Sequence, residues 1–566
     1  MLYFVASKIL TVKPYPINLF LVRKTKQMKR ILLLFTLLIM SCESVKEQAD
    51  LIITNATVYT VDDTFSKAQS FAVKDGKFIA IGTNAEISEK YSAEQFIDAQ
   101  AKAVVPGLID AHCHFFRLGI DQQELDLVGT KSFEDILEKV KAFQLKNNRD
   151  VIIGSGWDQN DWGVKEFPTK EQLDDLYPDT PVILERIDGH AYLVNQKALD
   201  LAGITKDTKA VGGEILKNEG QLTGILVDGP MDLIDAILPK PSKEIMIQAL
   251  KDAQQISINN GLTTVNDAGL SREVIELIDS LQQSGDLSIR VYAMISNSPE
   301  NLAYYLDKGI IKTDYLNVRS VKVYGDGALG SRGAVLKASY ADQHNHFGAM
   351  VTPVDEIEKL AHKIAASSYQ MNTHAIGDSA NIVVLKAYKN ALKGKKDRRW
   401  KVEHAQVIAP LDFDYFRDGI IPSIQPTHAT SDMYWVADRL GAERVKGAYA
   451  YKTLLDKAGI VALGTDFPVE QVSPFLTFYA AVARKDTDGF PEGGFQSNEK
   501  LTREETLKGM TIWAAYSNFE EEEKGSIEVG KFADFVILEK DIMTIPEEEI
   551  ATTTASRVFI AGKSLK

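Results

Sequence analysis

Pro106-Gly107-Leu108-Ile109-Asp110-Ala111-His112-Cys113-His114 is the stretch on which the reading of this chain turns. Residues 104–109 form an apolar, strand-like run, and two histidines stand at its carboxyl end. Strand side chains alternate between faces, so His112 and His114 point the same way, and Asp110 shares their parity. Two imidazoles on one face at a strand end make half of a metal site. Cys113 lies between them and turns away, as a small buried residue behind the site.

Downstream, strand and helix patterns alternate, which favours a parallel sheet. Eight strand candidates appear: one ending at His114, then 262–265, 289–295, 320–324, 369–374, 400–404, 420–425 and 460–466. Helical patterns fall between them at 242–259, 354–367, 378–392 and 442–457. Eight β/α units predict a TIM barrel, whose sites gather at the carboxyl ends of its strands. Residues 119–235 do not fit the repeat. They hold one helix (133–144), strands at 151–153 and 182–186, and several Gly-rich turns. An insertion after the first barrel strand, roofing the site, is the reading they support.

The ends of the chain are β-rich. Strand runs at 51–54, 56–61, 71–73 and 77–81, with an Asp75-Gly76 hairpin turn, face runs at 535–538 and 556–561. They predict one small β-sandwich built from residues 43–105 and 521–566, around a barrel domain at 106–520. The fold class is therefore α/β: a (β/α)8 TIM barrel, a sandwich from both termini and an insertion after barrel strand 1.

The chain has 566 residues, 45% apolar and 25% charged, the balance of a globular protein of more than one domain. Its net charge of −14 argues against a nucleic-acid partner, since phosphate binding needs a basic face. Only two cysteines are present, Cys42 and Cys113, and they are not expected to pair. Met28-Lys29-Arg30 precedes an uncharged run at 31–40, too short to span a bilayer comfortably but right for a signal-peptide core. Ile39-Met40-Ser41-Cys42 resembles a bacterial lipobox, so Cys42 is the expected lipidation site, with residues 43–50 as a polar tether. Met28 is a natural start, which leaves residues 1–27 as an upstream extension. These features imply a lipid-anchored lipoprotein of the bacterial cell envelope.

Further ligand candidates end other strands: His374 the fifth, His404 the sixth and Asp466 the eighth. Packing alone does not account for four histidines and an aspartate at strand ends of one barrel. Lys322 lies within an apolar strand, where an unpaired ammonium is costly. It can pair with a carboxylate such as Asp326, snorkel outward, or react with CO2 to give a carbamate that bridges two metals.

Together with the opening stretch, these residues resemble the amidohydrolase superfamily. Lys322-Val323-Tyr324-Gly325-Asp326-Gly327-Ala328-Leu329-Gly330-Ser331-Arg332 resembles its amidohydrolase-3 branch, which includes N-substituted formamide deformylases. Asp188-Gly189-His190-Ala191, Gln425-Pro426 and the closing 525–534 segment match it too, so the resemblance spans roughly residues 50–566 in order.

The resemblance implies one or two divalent metals, Zn2+ first and Fe2+ or Mn2+ next. It places His112, His114 and Asp466 on one metal and His374 and His404 on the other, with carboxylated Lys322 bridging. Asp466 is the expected proton shuttle. Trp157, Asp158, His190, Arg332, Gln425 and Trp435 are pocket candidates, with Arg332 a partner for a substrate carboxylate; His428 is a weaker one.

The expected activity is hydrolysis of a small-molecule amide, such as an N-acyl or N-formyl amide, at a non-peptide carbon–nitrogen bond. A carbohydrate N-deacetylase or cyclic amidase on the same site, and an inactive lipid-anchored binding protein, are the competing readings. A homodimer is compatible with the sequence.

Overall fold

The computed structural model describes residues 11–14 and 46–566. The 31–40 run and Cys42 lie outside the described residues. Among the described residues, no helix is long and apolar enough to cross a membrane.

Eight parallel strands form the centre: β1 Leu108–Cys113, β2 Leu262–Leu270, β3 Arg290–Ser296, β4 Leu316–Tyr324, β5 Gln370–Ala375, β6 Lys401–His404, β7 Ile421–Ile424 and β8 Ala462–Leu463. They neighbour one another in chain order. The seam between β8 and β1 is joined where Asp466 N–H donates to His112 O and His114 N–H donates to Phe467 O, both at 2.8 Å. Asp110 clamps the same seam. Its carboxylate accepts from Thr465 N–H at 3.0 Å and from the Thr465 hydroxyl at 2.7 Å. Gly464 is required there, because a Cβ would collide with the backbone of His112.

The outer helices present apolar faces to the sheet. Val354–Ala365 buries Ile357, Leu360, Ala361 and Ile364, the spacing of one helical face. Ser242, Ser271 and Ser298 cap three of these helices by accepting an early backbone N–H. The 378–392 pattern is a helix with those bounds. The single helix expected at 442–457 is instead two, Val436–Arg444 and Tyr451–Ala458; Gly441, at φ 75°, breaks the first. β4 starts four residues before the expected 320, because its polar Asn317 points to a buried partner, Asn518 O at 3.0 Å.

Two further sheets make the sandwich. One runs Lys77–Gly82, Ser70–Lys74, Glu47–Thr54, Tyr91–Asp98; the other pairs amino-terminal Ala103–Pro106 with carboxy-terminal Phe535–Leu538. Phe71, Phe78, Phe535 and Phe559 pack between them. Asp75 and Gly76 both take positive φ, as a tight hairpin requires. The expected tether is corrected over residues 47–50, which begin a strand, while residues 43–45 lie outside the described residues. Glu47–Thr54 pairs with Tyr91–Asp98, driven by its buried Ala49, Leu51 and Ile53.

The insertion is more ordered than its Gly-rich sequence suggested. It holds a six-stranded sheet from Leu125–Asp126 to the hairpin Gly213–Asn218/Gln221–Asp228, with the helix Phe133–Asn147 and a core of its own. Its strands are short and interrupted by polar residues, which hides their period.

Candidate metal centre and active site

His112 ends β1, Lys322 and His374 sit near the ends of β4 and β5, and His404 ends β6. Asp466 follows β8, and His114 precedes the helix Phe115–Asp121. His404 (φ 73°) and Asp466 (φ 66°) both hold left-handed backbone, a strained state for such residues that clusters at functional sites. The turns swing both side chains over the end of the barrel.

Ligand atoms of His112, His404 and Asp466 all lie within 4.8 Å of one another. Asp466 Oδ1 is 3.5 Å from His112 Nε2 and 3.3 Å from His114 Nε2. The His374 and His404 ring centroids are 4.5 Å apart. The tightest triad therefore joins His404 to His112 and Asp466, across the two groups expected from the sequence. Lys322 Nζ lies 3.2 Å from His112 Nε2. It does not pair with Asp326, whose carboxylate accepts three backbone N–H groups, from Val335, Ile376 and Gly377.

Other side chains aim the ligands. Glu403 Oε2 is 2.6 Å from His112 Nδ1, and Gln425 Oε1 is 2.8 Å from His404 Nδ1, so each ring presents Nε2 to the centre. His428 reaches Asp466 Oδ2 with Nε2 at 3.3 Å and Glu470 with Nδ1 at 2.9 Å. His190 Nδ1 meets Asp228 Oδ1 at 2.6 Å.

Burial governs the charge states. It lowers His114 to about 4 and pushes His374 and His404 well below the usual imidazole range, which keeps them in the neutral, metal-binding form. Burial also lowers Lys322 to about 8, against the pull of Glu403, Asp466 and Asp267. For Asp466, burial is outweighed by the nearby imidazoles of His114, His428, His112 and His404, and the group stays a carboxylate. For His428, burial is outweighed by its bonds to Asp466 and Glu470, and the pKa is raised.

A cavity of about 870 Å³ opens above these residues, lined by barrel and insertion alike. His114, Lys322, His374, His404, Asp466, His190, Asp158, Trp435 and His428 are on its wall. Three expected pocket residues are not. Trp157 is fully buried in the insertion core, its Nε1–H donating to Leu184 O. Arg332 is engaged by Asp342 at 2.8 Å, so it is no free partner for a substrate carboxylate. Gln425 is buried behind His404. Glu403, Asp228 and Glu470 were missed by sequence reasoning. Of these, only Glu403 carried a signal: a charged residue beside His404 in a buried strand.

The donor set fits a divalent metal. Asp466 Oδ1 is buried without a hydrogen-bond partner, although two imidazole nitrogens face it. A buried orphan oxygen facing imidazole nitrogens is a destabilising arrangement that a cation relieves.

Comparison with known proteins agrees with this geometry. Residues 95–565 match the Amidohydro_3 profile, described as the amidohydrolase family. The protein LONG AFTER FAR-RED 3 of Arabidopsis thaliana is 32% identical, over 91% of this chain and 91% of its own. An N-substituted formamide deformylase of Arthrobacter pascens is 25% identical, over 91% and 98%. An uncharacterized metal-dependent hydrolase of Pyrococcus horikoshii OT3 superposes with a TM-score of 0.72 at 27% identity, over 88% and 99%.

Proposed function

The chain belongs to the amidohydrolase family, and from that premise we propose that this hydrolase cleaves the carbon–nitrogen bond of small non-peptide amides, such as N-formyl or N-acyl amines. The observation that carries the reading is the division of labour within Asp466. Its partnerless Oδ1 faces His112 and His114, while Oδ2 faces His428 at the cavity wall.

His112, His114, His404 and Asp466 would hold one metal, with His374 and Lys322 offering ligands for a second. A bare ammonium at Lys322, 3.2 Å from His112 Nε2, repels a nearby cation. Carboxylation turns it into a ligand, and the lowered pKa supplies the free amine that reacts with CO2. Divalent zinc, iron or manganese in this site supplies a Lewis acid and lowers the pKa of water to about 7.

The chain's own groups supply the rest. Asp466 Oδ2 takes the proton of the attacking water and returns it to the leaving nitrogen. His428, anchored by Glu470, holds that carboxylate in place. Glu403 and Gln425 fix the rings of His112 and His404. The roof shields the reacting groups from bulk water.

The cavity wall narrows the substrate class. Asp126, Asp161, Asp232 and Asp235 line it, and none of them forms an ion pair among the described residues. Such a wall favours amides with a neutral or cationic amine portion and disfavours a free carboxylate. The lipobox-like segment ending at Cys42 supports a lipid anchor at the cell envelope.

The test is a panel of N-formyl and N-acyl amines against matched N-acyl amino acids. Turnover of the neutral and cationic amides, with the carboxylates poorer, is expected. No turnover of any amide would overturn the reading.

A further inference from the structure

The roof delivers one polar pair to the cavity that the ligand set does not use: His190 and Asp228. We propose that His190, held by Asp228, is the group by which the roof meets the carbonyl oxygen of the substrate.

The local build is specific. His190 follows Gly189 in a turn where Gly189 takes φ 72° and Asp188 Oδ1 accepts His190 N–H at 3.1 Å. Arg186 fixes that turn by pairing with both Asp158 and Asp188. Asp228 stands at the end of the neighbouring strand with its own backbone at φ 55° and ψ −127°, a strained state for a non-glycine residue that persists only where the surroundings hold it. Its side chain is 1% exposed, and its Oδ2 has no hydrogen-bond partner.

What holds it is the loop after β4. A Cβ on Gly327 or on Gly333 would collide with the Asp228 carboxylate. Two glycines of the barrel thus form the cradle in which a carboxylate of the roof sits. The cradle fixes Asp228, Asp228 fixes His190 Nδ1 at 2.6 Å, and Nε2 is the ring atom left to meet a ligand. His190 lines the cavity with its ring centroid 5.0 Å from that of His374. It therefore faces the candidate metal ligands from the roof side. Asp228 accepts from Nδ1–H and supports the imidazolium, so the ring also carries an Nε2–H, which donates to a carbonyl oxygen held between the roof and the barrel, where negative charge grows as water adds. His190 is then a catalytic residue, and Asp228 a positioning residue that acts through it.

The inference rests on the amide-hydrolase reading. The experiment compares wild type, His190→Ala, Asp228→Asn and the double variant, using N-butylformamide and N-butylthioformamide. Each single variant is expected to lose about 10²-fold in kcat with little change in KM, the loss typical of one such donor. The double variant is expected to be no worse than either single one. The loss is expected to be smaller on the thioamide, because sulfur accepts hydrogen bonds weakly. Asp228→Asn keeps the volume in the glycine cradle; if it fails to fold, His190→Ala and its oxygen-to-sulfur comparison still decide. Wild-type turnover with an unimpaired His190→Ala, or equal losses on both substrates, would overturn the role of the pair and leave the amide reading standing. No amide turnover by wild type would overturn both.

Discussion

Glu403 immediately precedes His404 on β6, yet its carboxylate reaches across the barrel to His112 on β1, with Oε2 2.6 Å from Nδ1. Strand alternation puts neighbours on opposite faces. Here the left-handed backbone of His404, at φ 73°, turns the histidine to the site while Glu403 stays in the barrel interior. One dipeptide thus supplies both a candidate ligand and the orienter of another.

Glu403→Gln removes the charge that aims His112. Metal affinity is expected to fall about 10–100-fold, the usual effect of losing a partner behind a ligand. Competition against a chelator measures it, and an unchanged affinity would show that Glu403 serves packing alone.

Asp466→Asn replaces the oxygen that faces His428 by an amide that cannot take up a proton. Turnover is expected to fall by at least about 10²–10⁴-fold, the contribution of a positioned acid–base group. Circular dichroism and the thermal midpoint are expected to stay near wild type. Activity close to wild type would remove Asp466 from the mechanism.

Gly464→Ala tests the barrel seam. The added Cβ meets the His112 backbone, which has no freedom to shift. A loss of about 1–3 kcal/mol in stability is expected from such overpacking. Urea midpoints of the two proteins measure it; equal midpoints would mean that the seam is looser than described.

The pH dependence of the seam follows from Asp110. Burial pushes its carboxyl up to about 7, against hydrogen bonds from Thr465 and His112. A folded pKa above the unfolded one gives stability that is complete below the unfolded value and lost as pH rises through the folded value. The stability advantage of wild type over Asp110→Asn is therefore expected to be larger at pH 5 than at pH 8. An advantage that grows with pH would contradict this.

The barrel and its candidate ligand positions were legible because buried parallel strands are continuous apolar runs and the candidate ligands interrupt them at the ends. His112, His114, His374, His404 and Asp466 all stand at such interruptions. The roof was far less legible, since its strands are short and its contacts to the barrel are made by single residues. Asp228 lies 38 residues beyond the histidine it holds, with no local pattern to mark it. Trp157 and Arg332 went the other way: both looked like pocket residues by type, but a backbone carbonyl and Asp342 claim them.

The central claim is that the His112, His404 and Asp466 centre holds a divalent metal on which amide hydrolysis depends. Metal content and turnover of an N-formyl amine, measured on one purified sample before and after chelation and again after adding Zn2+, Fe2+ or Mn2+, test it most directly. Metal in whole-number ratio to protein, activity lost on its removal and activity restored on its return are expected. Amide turnover that persists in the metal-free protein would contradict the account.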